Sequence, residues 1–227
     1  HLLVWNLDEK QFAEIEKLRP NLIELGEFLR RERIAHAVAH PLISVDGRMT
    51  ADHFEKLLLL FPVWETVNGL RSPVAQEVLT ACLDALTPET IRKLADKHRL
   101  EPVGVEPWKK GRVGGSNDHC GLYAGRVWTE VAGARDPAAF LQGIMERHGV
   151  PHGVGGDPAR FVNGLFHILF EFVREKRYRV SNRHPLFGPG RKRGRCVRSG
   201  AFGRGHPLGV GDRSLSLFLS FPALEPG

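Results

Sequence analysis

Three widely separated stretches carry side chains able to hold a metal ion, each at the edge of a short apolar run. They are Gly114-Gly115-Ser116-Asn117-Asp118-His119-Cys120, Ala37-Val38-Ala39-His40-Pro41, and the first residue, His1. In an extended segment alternate residues share a face, so Asn117 and His119 converge while Asp118 points away. Ligands delivered from the tips of several strands suit one rim of an α/β barrel. His36 and His40 share a face too, but four residues of strand hold them roughly 13 Å apart, too far to bind one ion. On a helix the pair would resemble a zincin, yet Ala37 stands where the Glu of H-E-x-x-H belongs. His148 and His152 have metal-like spacing in the glycine-rich stretch 149–156. That stretch lacks the Lys-Ser/Thr of a phosphate loop and reads as a flexible connection.

The elements that would position these groups alternate. Residues 1–7 read as a buried strand, and Asp8 with Gln11 predicts a capping box opening a helical stretch that Pro20 interrupts and that continues to about Arg33. Ile34 to Ala39 predicts a second strand, stopped at His40-Pro41. Thr50 caps a helix whose Phe54, Leu57, Leu58 and Phe61 share a face, and Trp64 to Val67 is a third strand. Ser72-Pro73, Thr87-Pro88, Asp136-Pro137 and Asp157-Pro158 each open a helix, the third expected to reach Gly149. Leu100 to Val105 reads as a short extended segment, and Arg126 to Val131 as a strand. The alternation predicts an α/β fold with largely parallel pairing. The four tryptophans, Trp5, Trp64, Trp108 and Trp128, are expected to pack it.

The chain has 227 residues and a net charge of +6. The basicity is local: residues 179–227 hold nine Lys/Arg against Asp212 and Glu225, leaving 23 basic and 24 acidic groups in the first 178. The pI near 9.5 therefore describes the tail, and a nucleic-acid partner is not expected for the body. The tail, with Arg191-Lys192-Arg193-Gly194-Arg195, has no hydrophobic period and reads as disordered up to about Leu215; its composition is also what an out-of-frame reading of GC-rich DNA would give. Cys82, Cys120 and Cys196 are scattered, which fits a reducing cytoplasm. The longest apolar run is too short to cross a bilayer.

With these residues laid out, the chain resembles the PHP (polymerase and histidinol phosphatase) domain family, of the type that can be joined to a glycosyltransferase. The likeness rests on His1-Leu2-Leu3-Val4, Ala39-His40-Pro41, Glu65-Thr66-Val67-Asn68-Gly69 and Gly115-Ser116-Asn117-Asp118-His119. It implies a distorted (β/α)7 TIM-like barrel, here partial and lacking its first strands: residues 1–134 as the C-terminal part of the barrel, 135–178 as a helical extension, 179–227 as a basic tail. It implies divalent metal ions, zinc, manganese or iron, that activate water against a phosphorylated small-molecule substrate. His1, His40 and His119 would be ligands, and Asn117 would occupy the place of a ligating Asp, with one negative charge fewer. The family's H-x-H strand, a further His and a Glu are not found, so the chain reads as an N-terminally truncated, incomplete site. Trp108, in a loop, and Arg126 are the candidates for contacting substrate. The alternative expectation is a catalytically idle module serving another enzyme such as a glycosyltransferase.

Overall fold

The computed structural model describes residues 1–43, 47–119, 121–181 and 217–219, with side chains described up to residue 174. The chain order is β1 (Leu2–Val4), α1 (Glu9–Leu18), α2 (Leu22–Arg31), β2 (His36–Val38), α3 (Ala51–Leu60), β3 (Val63–Asn68), α4 (Pro73–Asp84), α5 (Pro88–His98), β4 (Gly111–Gly115), β5 (Val127–Val131), α6 (Pro137–Met145), β6 (Gly149–Gly153), α7 (Pro158–Ser181) and β7 (Leu217–Leu219). Most helices begin where the sequence says they should. Asp8 and Gln11 form a reciprocal capping box, Thr50 and His53 another, and Thr87 and Asp136 each accept a backbone N–H ahead of a first-turn proline. Ser72 opens α4 without a side-chain cap bond.

Five strands make one sheet in the order β4-β3-β2-β1-β7, and β5 with β6 makes a second. Strands β2, β3 and β4 are parallel. Strand β1 runs antiparallel to β2, with Leu2 opposite Val38, and β7 runs antiparallel to β1. The fold is thus α/β, but the largely parallel pairing holds only for the β2–β4 core. Neither sheet closes into a barrel among the described residues, so the fold shown is mixed α/β with two open sheets. The direction reversal at β1 breaks the parallel ladder, and β4 meets β5 through the Thr129 hydroxyl, which accepts from Gly114 N–H and donates to Gly114 C=O.

Three further expectations need correction. Residues 149–153 are not a flexible connection but strand β6, antiparallel to β5. Its glycines allow close backbone approach: a Cβ on Gly153 would stand 2.2 Å from the Arg126 carbonyl oxygen. Helix α6 stops at Met145 rather than Gly149, with Arg147 in the left-handed region at φ 68°. Residues 100–105 form no strand, although Val103 N–H donates to the Leu59 carbonyl. The basic tail expected to be disordered lies outside the described residues, save the backbone of residues 179–181, which end α7, and of β7.

The sheet's two faces bury different sets, as period-2 alternation requires. Leu2, Val4, Val38 and Trp64 join Ile15, Leu25, Leu29 and Phe61 on one side; Ala37, Val63, Val113 and Ile144 pack on the other. Among the described residues no helix is long and apolar enough to cross a membrane.

His36 lies inside this core at 6% exposure. One ring nitrogen meets the Ile34 carbonyl at 2.8 Å, the ring stands edge-on to Phe61, and Nε2 is buried without a partner. Burial pushes its pKa below the usual imidazole value, the Ile34 bond opposing and Arg30 adding to the fall. As pH drops below about 6.5 the unfolded imidazole takes a proton that the folded one refuses, so stability is lost toward acid. In urea titrations at pH 7 and pH 5, wild type should lose more stability than His36→Phe over that interval. Parallel losses would contradict this.

Candidate functional site

The reversal of β1 places its N-terminal end beside the C-terminal ends of β2, β3 and β4. The pairing is direct: Ala39 N–H donates to the His1 carbonyl at 3.0 Å. The C-terminal edge of a parallel sheet is where open α/β folds gather ligands, and here it collects polar side chains from four distant segments.

His1 Nδ1 and His40 Nε2 share a hydrogen bond of 3.0 Å, the rings crossing at 80°. The His40 backbone N–H donates to Glu65 Oε2 at 2.9 Å, and Asn68 Nδ2 donates to the same oxygen at 2.8 Å. Asn68 Oδ1 in turn accepts from Asn117 Nδ2 at 3.2 Å, and Asn117 Oδ1 meets His119 Nε2 at 3.1 Å. One polar chain therefore runs His1, His40, Glu65, Asn68, Asn117, His119. His40 at φ 31° and Asn117 at φ 48° both hold left-handed backbone, a costly conformation for a histidine that clusters at functional positions. The tips of β3 and β4 meet because position 69 is glycine: a Cβ there would stand 2.6 Å from the Ser116 carbonyl oxygen.

Burial, more than charge, sets the electrostatics of the site. Burial, at 3% exposure, pushes the Glu65 carboxyl up to about 7, although the Asn68 and His40 hydrogen bonds and Arg71 pull it down. Burial lowers His40 to about 4, helped by the chain's first amino group, Arg71 and His119. His40 is thus a neutral imidazole near pH 7, and its buried Nδ1 has no hydrogen-bond partner. An orphaned imidazole nitrogen beside a carboxyl that burial keeps from ionising is a donor set that a divalent cation would complete. Beside it opens a cleft of about 260 Å³, including the part open to solvent, lined by His40, Glu65, Asn68, Arg71, Gln76 and Leu79 among others.

Of the four ligands the resemblance implies, His1 contacts His40 and Asn117 contacts His119, and Glu65 and Asn68 link the two pairs. Trp108, one of the two substrate candidates, lies away from them. Trp108 precedes β4, whose Gly111 N–H bonds Pro62 at the start of β3, so it stands at the opposite edge of the sheet. Arg126 is exposed, its guanidinium 5.8 Å from the Tyr123 ring. Asp118 accepts the Tyr123 N–H at 2.8 Å, and strand alternation does not decide its place, since β4 ends at Gly115 and Asn117 is left-handed.

Sequence reasoning gave Glu65, Asn68 and Arg71 no role. The available signal was a carboxylate two residues into an apolar strand, Val63-Trp64-Glu65-Thr66-Val67. A second group was also missed: Asp52 and Glu55 of α3 and His98 of α5 have ligand atoms within 4.8 Å of one another and could hold a metal ion. The Lys97 ammonium already lies between the carboxylates, 2.7 Å from Asp52 and 2.6 Å from Glu55, and their hydrogen bonds raise its pKa. This group is filled by its own cation and serves to pin α3 to α5. Among the described residues no other three His, Cys, Asp or Glu are drawn that tightly, the His1 to His119 chain included. No protein-family model, no curated protein and no solved structure matches this chain.

Proposed function

We propose that the chain carries part of a metal-dependent phosphoesterase site of the PHP type, of which the open sheet would be one portion of a barrel. The observation that supports this reading is the unbroken polar chain from His1 to His119 at the C-terminal edge of the parallel strands. His1, His40, His119 and Glu65 would hold a divalent ion, zinc, manganese or iron, with the Asn117 amide oxygen as a neutral fifth group. Such an ion supplies a Lewis acid that brings the pKa of water down toward 7. Around it, Arg71 offers positive charge at the cleft wall to a phosphorylated small molecule, and Asn68 holds Glu65 and Asn117 in register. A fused or associated glycosyltransferase is the partner this reading favours.

A second reading, an idle module attached to another enzyme, draws on Asn117. Its amide is satisfied at both ends, by Asn68 and by His119, without any cation. Incubating the chain with manganese or zinc and a chromogenic phosphomonoester separates the two. Phosphate release that disappears in His40→Ala supports the first, and metal uptake without turnover supports the second.

A further inference from the structure

Helix α7 is inside out. At about 100° per residue, its polar positions Arg160, Asn163, Gly164, His167, Glu171 and Arg174 fall on one arc of roughly 100°, and its large apolar side chains fill the remaining arc. At the start of the helix the polar arc faces the body: Gly164 is buried, Asn163 Nδ2 donates to the Tyr123 hydroxyl at 2.7 Å, and Arg160 Nη1 donates to the Gly155 carbonyl at 3.1 Å. The apolar arc faces outward. Phe161, Leu165, Phe166, Leu169, Phe170 and Phe172 are between 47% and 70% exposed, with Val162, Ile168 and Val173 alongside at 43–52%.

The scale of this exposure decides what it means. Taking about 150–200 Å² for each such side chain, roughly 800 Å² of apolar surface stands on one helix, above the 300–600 Å² of the largest patch on a typical monomer. It equals the roughly 800 Å² that each partner contributes to a stable interface. The apolar run from Phe161 to Val173 is about 20 Å long, enough for two copies to lie against each other along three turns and more.

We propose that the outward face of α7 is the interface of a homodimer, in which α7 of one copy packs along α7 of a second copy of this chain about a two-fold axis. The inference is independent of the metal site. Leu169 lies at the middle of the apolar arc and Phe166 is its most exposed member, so a charge at either must be desolvated in the dimer and is freely solvated in the monomer.

The test is sedimentation equilibrium of the full chain and of Leu169→Glu and Phe166→Glu, each with circular dichroism to verify that the variants keep the wild-type spectrum. The wild-type chain should sediment at twice its monomer mass at 10 µM or about that, and each variant should raise the dissociation constant at least a hundredfold. Leu169→Ala, which removes area without adding charge, should raise it less, and a graded response supports the interface even where a glutamate variant fails to fold. A wild-type chain that is monomeric at about 100 µM overturns the proposal. So does a monomer that instead co-sediments with phosphatidylcholine–phosphatidylserine vesicles, or a dimer indifferent to all three substitutions.

Discussion

Trp64→Ala is expected to cost about 3–5 kcal/mol, the range for truncating a buried aromatic to a methyl. The indole is fully buried, packs edge-on to Phe54 at 5.4 Å between ring centres, and donates Nε1–H to the Phe61 carbonyl at 3.0 Å. Its removal opens a cavity at the contact of β3 with α3 and leaves that carbonyl without its indole donor. For a domain with the ordinary 5–15 kcal/mol in hand, the loss takes a large share of the stability and brings unfolding close to room temperature. Urea titration reads it directly, and a cost below about 1.5 kcal/mol would contradict the packing. Trp128→Ala is the contrast. That ring is 50% exposed and stacks on His152 across the β5–β6 pair, so its loss should cost less than about 1 kcal/mol. The four tryptophans are therefore not equivalent packing groups, although their dispersal in the sequence gave no reason to separate them.

Asn117→Asp is expected to do two opposite things. Without metal it turns the 3.2 Å donation from Asn117 Nδ2 to Asn68 Oδ1 into a contact between two acceptors, and adds negative charge near Glu65. The apo chain should lose about 1–3 kcal/mol, the cost of an unmade hydrogen bond in a partly buried site. With manganese or zinc the same carboxylate neutralises part of the ion's charge. At an effective dielectric between that of water and that of a protein surface this amounts to at least about 1.4 kcal/mol, or tenfold in affinity. The signature is a variant less stable than wild type in chelator and more strongly stabilised by added metal, read as melting temperature against metal concentration. A variant that melts alike with and without metal would show that position 117 faces no ion.

Much of this arrangement was legible in the residues because caps and strand ends are local. Asp8 with Gln11, Thr50 and Thr87-Pro88 fix helix starts through bonds spanning three residues, and His40-Pro41 marks a strand end whatever surrounds it. Strand direction is not local. Leu2-Leu3-Val4 has the same composition whether it runs with β2 or against it, and only the tertiary pairing of Leu2 with Val38 settles the matter. The reversal nonetheless preserved the prediction that His1 and His40 meet, since either end of a three-residue strand lies within about 10 Å of the other. Strand β6 was hidden by Gly149, Pro151 and Gly153, residues that argue for a loop unless a partner strand approaches too closely for side chains. Glu65 was quoted as part of a motif and given no task, because a single carboxylate in an apolar run carries no sign of what it faces. The inverted α7 could not be seen either. Its periodicity names two faces without saying which one the body takes.

The central claim is that the His1 to His119 chain holds a cation, and stoichiometry tests it most directly. The full chain, freed of metal by chelator, is titrated with zinc and with manganese in a calorimeter beside His40→Ala and Glu55→Ala. The account predicts about one ion per chain, abolished in His40→Ala and retained in Glu55→Ala, which removes a ligand from the Asp52, Glu55 and His98 group. No uptake by the unaltered chain, or uptake that survives His40→Ala, would contradict it.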